Sequence, residues 1–317
     1  MKYNKIPYTD LNISAVGFGT WALGDAFFGK VDDQQSVEAI QSGIDHGINF
    51  IDTAPAYGAG HAEKVVGQAI KGRRDKVIIA TKLGIERTKD DFLNNLKPER
   101  IYQEIDESLE RLGVDQIDLY QIHWPDPDTP LEESVEALMK IKEQGKFRYL
   151  GVSNFTTELL DEIRSMTEIV SLQPQYSLLR RQAEETVIPY CQENDLGIIS
   201  YGTLAGGILT GKFKNIPDFD EKDNRFMFYN FFKEPEWSKI QNFLDVLREI
   251  AKERNVPVVQ VTINWTIQQI GITSALVGAK NPEQIKINAQ AADFELDGEE
   301  LERIEQAWEK YLIDIGK

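Results

Sequence analysis

The sequence predicts an α/β protein folded as a (β/α)8 TIM barrel, with an N-terminal β-hairpin and a long loop after strand 7. Short β-rich runs alternate with helical patterns along the chain, and these runs lack the polar/apolar alternation of a half-solvated strand. Strands buried on both faces are typical of parallel sheets. Eight strand-then-helix units close most naturally into a barrel. The predicted strands span residues 15–19, 48–52, 76–82, 117–123, 147–153, 169–173, 196–202 and 273–279.

Helical periodicity is clearest in two of the segments between strands. In residues 34–47, Val37, Ile40 and Ile44 form one apolar stripe, and a glycine supplies a stop signal. Residues 97–113 begin next to a proline and end on a glycine, with apolar residues every three or four positions. We predict further helices at 132–145, 157–167, 182–194, 257–270 and 282–290, and a charged terminal helix from about 297.

Two segments lie outside the strand-helix repeat. Residues 2–14 contain a polar turn and predict a β-hairpin that covers the N-terminal mouth of the barrel. Residues 203–235 follow the seventh strand as a long excursion, and long ordered loops of compact domains are usually functional. The chain shows no linker or low-complexity segment, so we predict a single domain over residues 1–317.

The charge and composition exclude several classes of partner. The 317 residues are 41% hydrophobic and 27% charged, with a formal net charge of −17. Binding to nucleic acid or to an anionic membrane requires clustered Lys and Arg, so we expect neither partner. No apolar run approaches the roughly 20 residues that span a bilayer, and the first residues lack the apolar region of a secretory signal. Cys191, the only cysteine, cannot form an intrachain disulfide, which fits a cytoplasmic protein.

The ends of three neighbouring strands carry polar side chains. Asp52 ends the second predicted strand, Lys82 the third and His123 the fourth, and Tyr57 lies in the loop after the second. In a (β/α)8 barrel these ends converge on the volume where chemistry takes place. A buried lysine needs a carboxylate partner, and a nearby ammonium lowers the pKa of a phenol. We therefore predict Tyr57 as a tuned general acid and His123 as a hydrogen-bond donor to a substrate oxygen.

Each of these residues also has a purely structural explanation. The aspartate fits a helix N-cap, the lysine a solvent-facing loop, the tyrosine a packing aromatic and the histidine a core position. Their joint placement favours a site, and the site contains no nucleophile. Barrel metallohydrolases need several convergent histidines and carboxylates, whereas this chain has three histidines, two of them in a helix end and a Gly-rich turn. We therefore predict no metal.

With these four residues in place, the sequence resembles the aldo-keto reductase family over nearly its whole length. The subgroup it resembles comprises bacterial reductases related to inositol-operon and general-stress proteins and to potassium-channel β subunits. Each resembling segment is weak alone, but together and in order they are highly specific. They are GFGTWALG at 17–24, FIDTAPAYG at 50–58, ATKLG at 80–84, QIHWPDP at 121–127, GVSNF at 151–155, LQPQYSLL at 172–179, YGTLAGGILTGKF at 201–213 and VGAKNPEQIKIN at 277–288.

The resemblance implies a barrel that binds a nicotinamide cofactor without a Rossmann domain, and the chain's GFGTWALG lacks the GxGxxG fingerprint of that domain. The family's catalytic tetrad falls on Asp52, Tyr57, Lys82 and His123. Its carboxamide-binding residues fall on Ser153, Asn154 and Gln173, and its ring-stacking aromatic falls on Tyr201. The remaining cofactor contacts implied are Thr20 and Trp21, then Gly202, Leu204, Gly206, Lys212 and Arg225 near the pyrophosphate, and Gly278, Ala279, Lys280, Gln284 and Asn288 near the adenosine.

The resemblance implies NADPH as the cofactor, with NADH as the alternative. NADPH-specific members often place Lys and Arg against the 2′-phosphate, where this chain has Gly278 and Gln284. Lys280 lies close by in the sequence and can compensate. A glutamine bonds a ribose hydroxyl as easily as a phosphate. We expect NADPH because the family that the sequence resembles usually uses it.

The function predicted is NADPH-dependent reduction of aldehydes or ketones to alcohols, with Tyr57 as general acid. Two other functions stay open: a dehydrogenase acting on a polyol such as inositol, and a cofactor-sensing regulatory subunit like the channel β proteins. We expect a small-molecule carbonyl as the partner, and a monomer or weak homo-oligomer. Aromatic side chains after strands one and four are expected to wall the substrate pocket: Trp21, Phe27, Phe28 and Trp124.

Overall fold

The computed structural model describes residues 1–24, 31–87, 92–219, 223 and 225–315. Phe27 and Phe28, predicted in the substrate pocket, lie outside the described residues. The strands of the described part are Tyr3–Lys5 (β1), Asn12–Ser14 (β2), Val16–Gly19 (β3), Phe50–Asp52 (β4), Ile78–Leu83 (β5), Ile85–Arg87 (β6), Phe92–Asn94 (β7), Ile117–Ile122 (β8), Phe147–Ser153 (β9), Ser171–Gln173 (β10), Gly197–Ser200 (β11) and Ile272–Val277 (β12).

Eight of these strands form a closed barrel in the order β3, β4, β5, β8, β9, β10, β11 and β12, with β12 beside β3. All neighbouring pairs run parallel. Every residue of β4, β8 and β12 is buried, as expected for strands covered on both faces. The barrel confirms the (β/α)8 prediction. Register places Lys82 beside Gln121, and Gln121 beside Gly151, at one end of the barrel.

The helices surround the barrel. They are Asp33–Asp45 (α1), His61–Ala69 (α2), Pro98–Leu112 (α3), Leu131–Glu143 (α4), Thr157–Met166 (α5), Val187–Glu193 (α6), Arg225–Phe228 (α7), Glu236–Arg254 (α8), Val258–Gln268 (α9), Pro282–Ala289 (α10) and Gly298–Tyr311 (α11). The sequence prediction includes α1, α3 to α6 and α9 to α11, but misses α2, α7 and α8. It also misses the antiparallel hairpin of β6 and β7, whose exposed strand β7 has no apolar face to reveal it.

Helix α3 shows how the sequence specifies an element. Pro98 stands at its first turn and Gly113 ends it in the left-handed conformation, with a φ of 66°. The apolar residues of one stripe are buried against the barrel, as Ile101 and Ile105 are. Because the cap and the stripe agree, the predicted boundaries 97–113 match the helix to within a residue at each end.

The N-terminal hairpin closes the lower mouth of the barrel. Strands β1 and β2 pair antiparallel. Ile6, Leu11 and Ile13 are buried in one apolar cluster with barrel residues that include Phe50 and Leu119. Removing this apolar surface from water stabilises the closed end, and the predicted hairpin is confirmed.

The long excursion after β11 is partly helical. It contains a 3₁₀ segment over Ala205–Thr210 and the single turn of α7. Helix α8 begins at Glu236, directly after it. In the described part of the chain, no helix combines the length and apolar character that crossing a membrane would require.

Candidate active site

A buried ion pair forms the base of the candidate site. The Nζ of Lys82 donates to Asp52 Oδ1 at 2.5 Å and to the carbonyl oxygen of Thr53 at 3.1 Å. The two charged side chains are 1% and 3% exposed. An ammonium removed from water requires such a partner, so the predicted pairing of Lys82 with Asp52 is present. Lys82 lies within β5 and not after it, because the strand continues to Leu83.

Tyr57 lies directly above this pair. The Nζ of Lys82 is 3.3 Å from the Tyr57 hydroxyl oxygen and 5.1 Å from the ring centroid. A close approach of two glycines holds the turn that carries the ring. A Cβ atom at Gly24 would lie 2.7 Å from the Gly58 nitrogen, and one at Gly58 would lie 2.4 Å from the Gly24 oxygen. Neither position accepts a side chain without moving the tyrosine.

The titration of Tyr57 runs opposite to the sequence prediction. Burial, and then the charge of Asp52, raises the pKa of Tyr57 well above its ordinary value of 10.0. The sequence argument counted the lowering of the pKa by the Lys82 ammonium, but not the burial of the phenol or the opposing charge of Asp52. Burial lowers the pKa of Lys82, although Asp52 opposes that shift. Tyr57 therefore keeps its proton at neutral pH, and Lys82 can stabilise the phenolate only as it forms.

His123 stands beside Tyr57 on the other side. Its ring is nearly perpendicular to that of Tyr57, with the centroids 5.9 Å apart. Burial, followed by the charge of Lys82, lowers the pKa of His123 well below its ordinary value of 6.5. The imidazole is therefore neutral at physiological pH, with one ring nitrogen able to donate a hydrogen bond to an oxygen placed near Tyr57.

The residues implied for carboxamide binding form a connected polar group. The hydroxyl of Ser153 donates to the Gln173 carbonyl oxygen at 2.8 Å. The amide of Asn154 donates to Ser153 Oγ and to the His123 carbonyl oxygen, both at 3.0 Å, and accepts from the Tyr201 hydroxyl at 2.8 Å. The Nε2 of Gln173 donates to Asp52 Oδ2 at 2.8 Å. The trio therefore joins the catalytic end of the site.

A cleft of about 430 Å³ runs from this group across the C-terminal ends of the barrel strands. Asp52 and Tyr57 line one end. Lys82 and His123 contact Tyr57 but are not among the lining residues, and neither are Ser153, Asn154 and Gln173. The other residues implied for the cofactor all line the cleft: Thr20, Trp21, Tyr201, Gly202, Leu204, Gly206, Lys212, Arg225, Gly278, Ala279, Lys280, Gln284 and Asn288.

The middle of the cleft is a glycine cradle. Gly206 and Gly207 have φ values of 68° and 94°, a conformation that side chains rarely adopt. A Cβ at Gly206 would lie only 2.8 Å from the ring of Tyr229. The missing side chain of Gly206 therefore makes room for the Tyr229 ring. At Gly207 a Cβ would meet nothing closer than 3.8 Å, so a ligand can approach the main chain there.

Cationic side chains border this cradle. The Nη1 of Arg225 donates to the Gly206 carbonyl oxygen at 3.2 Å, and its Nη2 pairs with Asp223 at 2.5 Å. Burial and the charge of Arg225 lower the pKa values of both Lys212 and Lys280. Among the described residues, Arg225, Lys212 and Lys280 lie near the carboxylate of Asp223, in a chain whose net charge is −17. Such a cluster favours an anion.

The far end of the cleft opens helix α10. The side chain of Asn281 caps the helix by accepting from the backbone nitrogen of Gln284 at 3.0 Å. The Oε1 of Gln284 accepts from the backbone nitrogen of Lys280 at 2.9 Å. The amide of Asn288 donates to the Gly278 carbonyl oxygen at 3.3 Å. The Gln284 side chain is therefore anchored next to the lysine predicted to compensate for it.

Of the aromatic side chains predicted to wall the substrate pocket, the described ones differ in whether they line the cleft. Trp21 lines the cleft, with its centroid 6.5 Å from that of Tyr57. Trp124 is 42% exposed and does not line the cleft, so nothing in the described part of the chain places it at the pocket wall. Phe228 packs edge-on against Trp21 at 5.1 Å and was not foreseen. The run MFYNFF was visible in the long excursion, but its position relative to the barrel was not.

Sequence reasoning also missed several residues of the cleft and its base. Tyr229 and Thr203 line the cleft, and Gln121 donates to Asp52 Oδ2 at 3.1 Å beneath it. Gln121 is a second polar residue, after Asp118, inside the buried strand IDLYQI, but the sequence alone does not show what it contacts. Among the described residues, no group of three or more His, Cys, Asp or Glu side chains is arranged to hold a metal ion.

The sequence matches the aldo/keto reductase family over residues 15–309. The chain belongs to this family. The aldo-keto reductase YhdN of Bacillus subtilis is 38% identical over 317 residues, which cover 99% of this chain and 96% of that protein. The NADH-specific methylglyoxal reductase of Escherichia coli is 33% identical and covers 92% and 94%. A probable voltage-gated potassium channel subunit beta of Arabidopsis thaliana is 30% identical and covers 92% of each chain.

Solved structures agree with the family assignment. The glycerol dehydrogenase of Gluconobacter oxydans is 35% identical, with a TM-score of 0.90 over 98% of this chain and 96% of that one. An aldo/keto reductase of Klebsiella pneumoniae, solved with NADP and acetate, is 30% identical, with a TM-score of 0.75 over 98% and 96%. The predicted resemblance is confirmed, and with it the prediction of an NAD(P)H-dependent oxidoreductase.

The cleft fits a nicotinamide dinucleotide on its own chemistry. The cradle at Gly206 and the cations around it suit a diphosphate. The hydroxyls of Thr20 and Thr203 are buried and have no hydrogen-bond partner in the described part of the chain, although both residues line the cleft. Buried hydroxyls are nearly always hydrogen-bonded, so these two are suited to a bound ligand.

Proposed function

We propose that this protein is an NADPH-dependent reductase that converts aldehydes or ketones to alcohols, with NADH as the alternative coenzyme. The observation that carries the proposal is the contact of Tyr57 with the buried Lys82–Asp52 pair, at one end of a cleft whose middle is glycine-rich and cationic. The family assignment and the NADP complex of the Klebsiella relative support it.

The reduction transfers two electrons and two hydrogens. When bound, the reduced nicotinamide supplies a hydride to the carbonyl carbon. Tyr57 donates its proton to the carbonyl oxygen, so the carbonyl double bond is reduced and a phenolate remains. The ammonium of Lys82, 3.3 Å from the phenol oxygen, stabilises that phenolate, which solvent then reprotonates. The neutral imidazole of His123 donates to the same carbonyl oxygen and orients it.

The choice of coenzyme rests on charge. The cations Arg225, Lys212 and Lys280 line the cleft and suit a diphosphate, and a 2′-phosphate must share the same cations. Among the cations that line the cleft, Lys280 is the nearest in sequence to Gln284, where family members use Lys or Arg. We propose NADPH because it is the usual coenzyme of the family. The NADH-specific relative makes NADH the alternative to measure.

Replacement of Tyr57 by Phe tests the proposal directly. Loss of the proton donor should lower kcat by about 10²- to 10⁴-fold with NADPH and methylglyoxal or an aryl aldehyde. The dissociation constant of NADPH should change less than about threefold, because the ring remains in place. Tyr190→Phe is the matched control, since its hydroxyl hydrogen-bonds Asp161 away from the site. A Tyr57→Phe enzyme that keeps substantial turnover would show that another group supplies the proton.

Two other functions predict different outcomes. Oxidation of a polyol uses the same groups in reverse, and the similarity to a glycerol dehydrogenase favours including it. A panel of carbonyls with NADPH and NADH, and of glycerol and inositol with the oxidised forms, ranks these reactions by kcat/KM. A cofactor-sensing subunit, suggested by the channel relative, would bind NADPH tightly but show negligible turnover across the panel.

We further propose one domain over residues 1–317, a small-molecule carbonyl as the partner, and a monomer or weak homo-oligomer in the cytoplasm. Nucleic acid and membrane partners are not proposed, because the net charge is −17. Size-exclusion chromatography with light scattering at several concentrations decides the oligomeric state.

A further inference from the structure

We infer that Gln121 is a positioning residue that ties the catalytic ion pair to Gln173, the residue expected to hold the nicotinamide carboxamide. This inference rests on the proposed function. Gln121 lies on β8, is fully buried, and is the register partner of Lys82 on β5. It therefore enters the barrel interior beside the lysine that contacts Tyr57.

Two glutamines and one carboxylate form a closed triangle of hydrogen bonds. The Nε2 of Gln121 donates to Asp52 Oδ2 at 3.1 Å, and the Nε2 of Gln173 donates to the same oxygen at 2.8 Å. The Nε2 of Gln173 also donates to Gln121 Oε1 at 3.2 Å. Asp52 Oδ1 is left to the Lys82 ammonium. Each carboxylate oxygen thus has its own donors.

The triangle fixes how both amides are oriented. A carboxylate only accepts, so the nitrogen of each amide must face Asp52 and the oxygen must face elsewhere. With its nitrogen committed to Asp52 and Gln121, Gln173 offers an amide oxygen to a ligand. An amide oxygen accepts from the N–H of a carboxamide. Gln121 thereby controls both the ionised Asp52 and the hydrogen-bonding end of Gln173.

The barrel leaves space for this side chain. Gly151, the register partner of Gln121 on β9, has no side chain, and a Cβ there would lie 3.2 Å from the Gln121 Cγ and 2.6 Å from the Ser171 Oγ. Gly151 has an ordinary backbone conformation, since it is absent from the residues with positive φ. Its smallness therefore leaves space first for the Ser171 hydroxyl and then for the Gln121 side chain, and does not serve a turn.

Substitution by glutamate distinguishes positioning from simple packing. The charged or titratable groups facing this point are Asp52, Lys82, Tyr57 and His123, with Glu63 acting on Lys82 from helix α2. A second carboxyl about 3 Å from Asp52 shares a proton with it, so its pKa is raised. While protonated, it donates to Asp52 as the amide does. Once the proton is lost, two anions face each other and the pair with Lys82 is disturbed.

The experiment compares Gln121→Glu and Gln121→Met with Gln116→Glu as the matched control. Gln116 precedes the same strand and donates to the Gly145 carbonyl oxygen, far from Asp52 in the register. Steady-state kcat/KM is measured between pH 5 and pH 9, about the range in which a raised carboxyl titrates. NADPH dissociation constants are measured by quenching of tryptophan fluorescence, which needs no turnover.

We expect kcat/KM of Gln121→Glu to fall with rising pH along a limb that is absent from the wild type and from Gln116→Glu. Gln121→Met should lack this limb, but its kcat should be about 10- to 100-fold lower and its NADPH affinity weaker, because Asp52 and Gln173 both lose a partner. Thermal melts of each variant locate the folded range. If Gln121→Met does not fold, Gln121→Glu at acid pH decides alone.

The inference is overturned if Gln121→Met binds and turns over NADPH like the wild type, or if the Gln121→Glu profile matches that of Gln116→Glu. Failure of the proposed function has a separate signature, since the wild type would then show no turnover. NADPH titration of the Gln121 variants still reports the effect on Gln173 in that case.

Discussion

Breaking one half of the Asp52–Lys82 pair should destabilise the fold more than removing both halves. The two groups are 2.5 Å apart and only 3% and 1% exposed. Lys82→Met leaves a buried carboxylate with only the amide donors Gln121 and Gln173, and Asp52→Asn leaves a buried ammonium. Each single change should lower the free energy of unfolding by about 3–5 kcal/mol. The double variant buries no net charge and should lie within about 2 kcal/mol of the wild type.

Stability and turnover should separate in this cycle. The double variant recovers much of the folding free energy but lacks the ammonium 3.3 Å from the Tyr57 oxygen. Its kcat should therefore stay about 10²- to 10⁴-fold below the wild type, like that of Lys82→Met. Urea unfolding followed by circular dichroism gives the stabilities, and NADPH-dependent aldehyde reduction gives kcat.

A surface pair provides the control for this cycle. Lys140 and Glu136 are 2.6 Å apart but 53% and 70% exposed, so their coupling should be below about 1 kcal/mol. If the Asp52–Lys82 coupling is no larger than that of Lys140–Glu136, the buried pair does not carry the energy assigned to it. If the double variant keeps wild-type kcat, Lys82 does not stabilise the phenolate.

Two further predictions concern the coenzyme end. Burial pushes the pKa of Asp223 upward, but the hydrogen bonds from Arg225 outweigh it and hold that pKa below its ordinary range, so the carboxylate opposes a bound phosphate. Asp223→Asn should tighten NADPH binding roughly threefold to tenfold and NADH binding less, because the 2′-phosphate adds charge; equal changes in the two titrations would rule out this role. Burial and Arg225 lower the pKa values of Lys212 and Lys280 below 10.5. A bound phosphate favours the protonated lysines. NADPH affinity should therefore be full below the pKa values of the two lysines in the free protein, and should fall as the pH rises through these pKa values. Calorimetric titrations from neutral to alkaline pH measure this dependence. An affinity that stays constant until the pH of an ordinary lysine would contradict this.

The barrel was predictable because its strands are buried on both faces. Uninterrupted apolar runs report such strands without any tertiary information. Helices α2 and α8 also carry the signal: Val65 and Val66 in α2, and Phe243, Leu244 and Leu247 in α8, recur at helical spacing and are buried. They were missed because α2 follows a Gly-rich turn and α8 follows the long excursion, where no strand end marks the start. The exposed strand β7 carries no such pattern at all.

The candidate site was predictable where chemistry and topology coincide. Asp52, Lys82 and His123 stand at the ends of neighbouring strands, so the fold alone brings them together. Gln121 was not predictable, because its partner depends on a register with Lys82 that only the closed barrel fixes. The pKa of Tyr57 was predicted in the wrong direction, since the balance between burial and two opposed charges depends on distances.

The two ends of the cleft follow opposite electrostatic rules. At the catalytic end, Asp52 cancels Lys82 and the imidazole of His123 is neutral, so the ground state presents little net field. The field of Lys82 becomes useful when the Tyr57 phenolate forms 3.3 Å away, which is where preorganised charge lowers a barrier. At the coenzyme end, the cations Arg225, Lys212 and Lys280 line the cleft and act on charge already present in the ligand. An acidic protein can thus place positive potential where a dinucleotide binds. At the reacting carbonyl, the charge of Lys82 takes effect only when the proton leaves Tyr57.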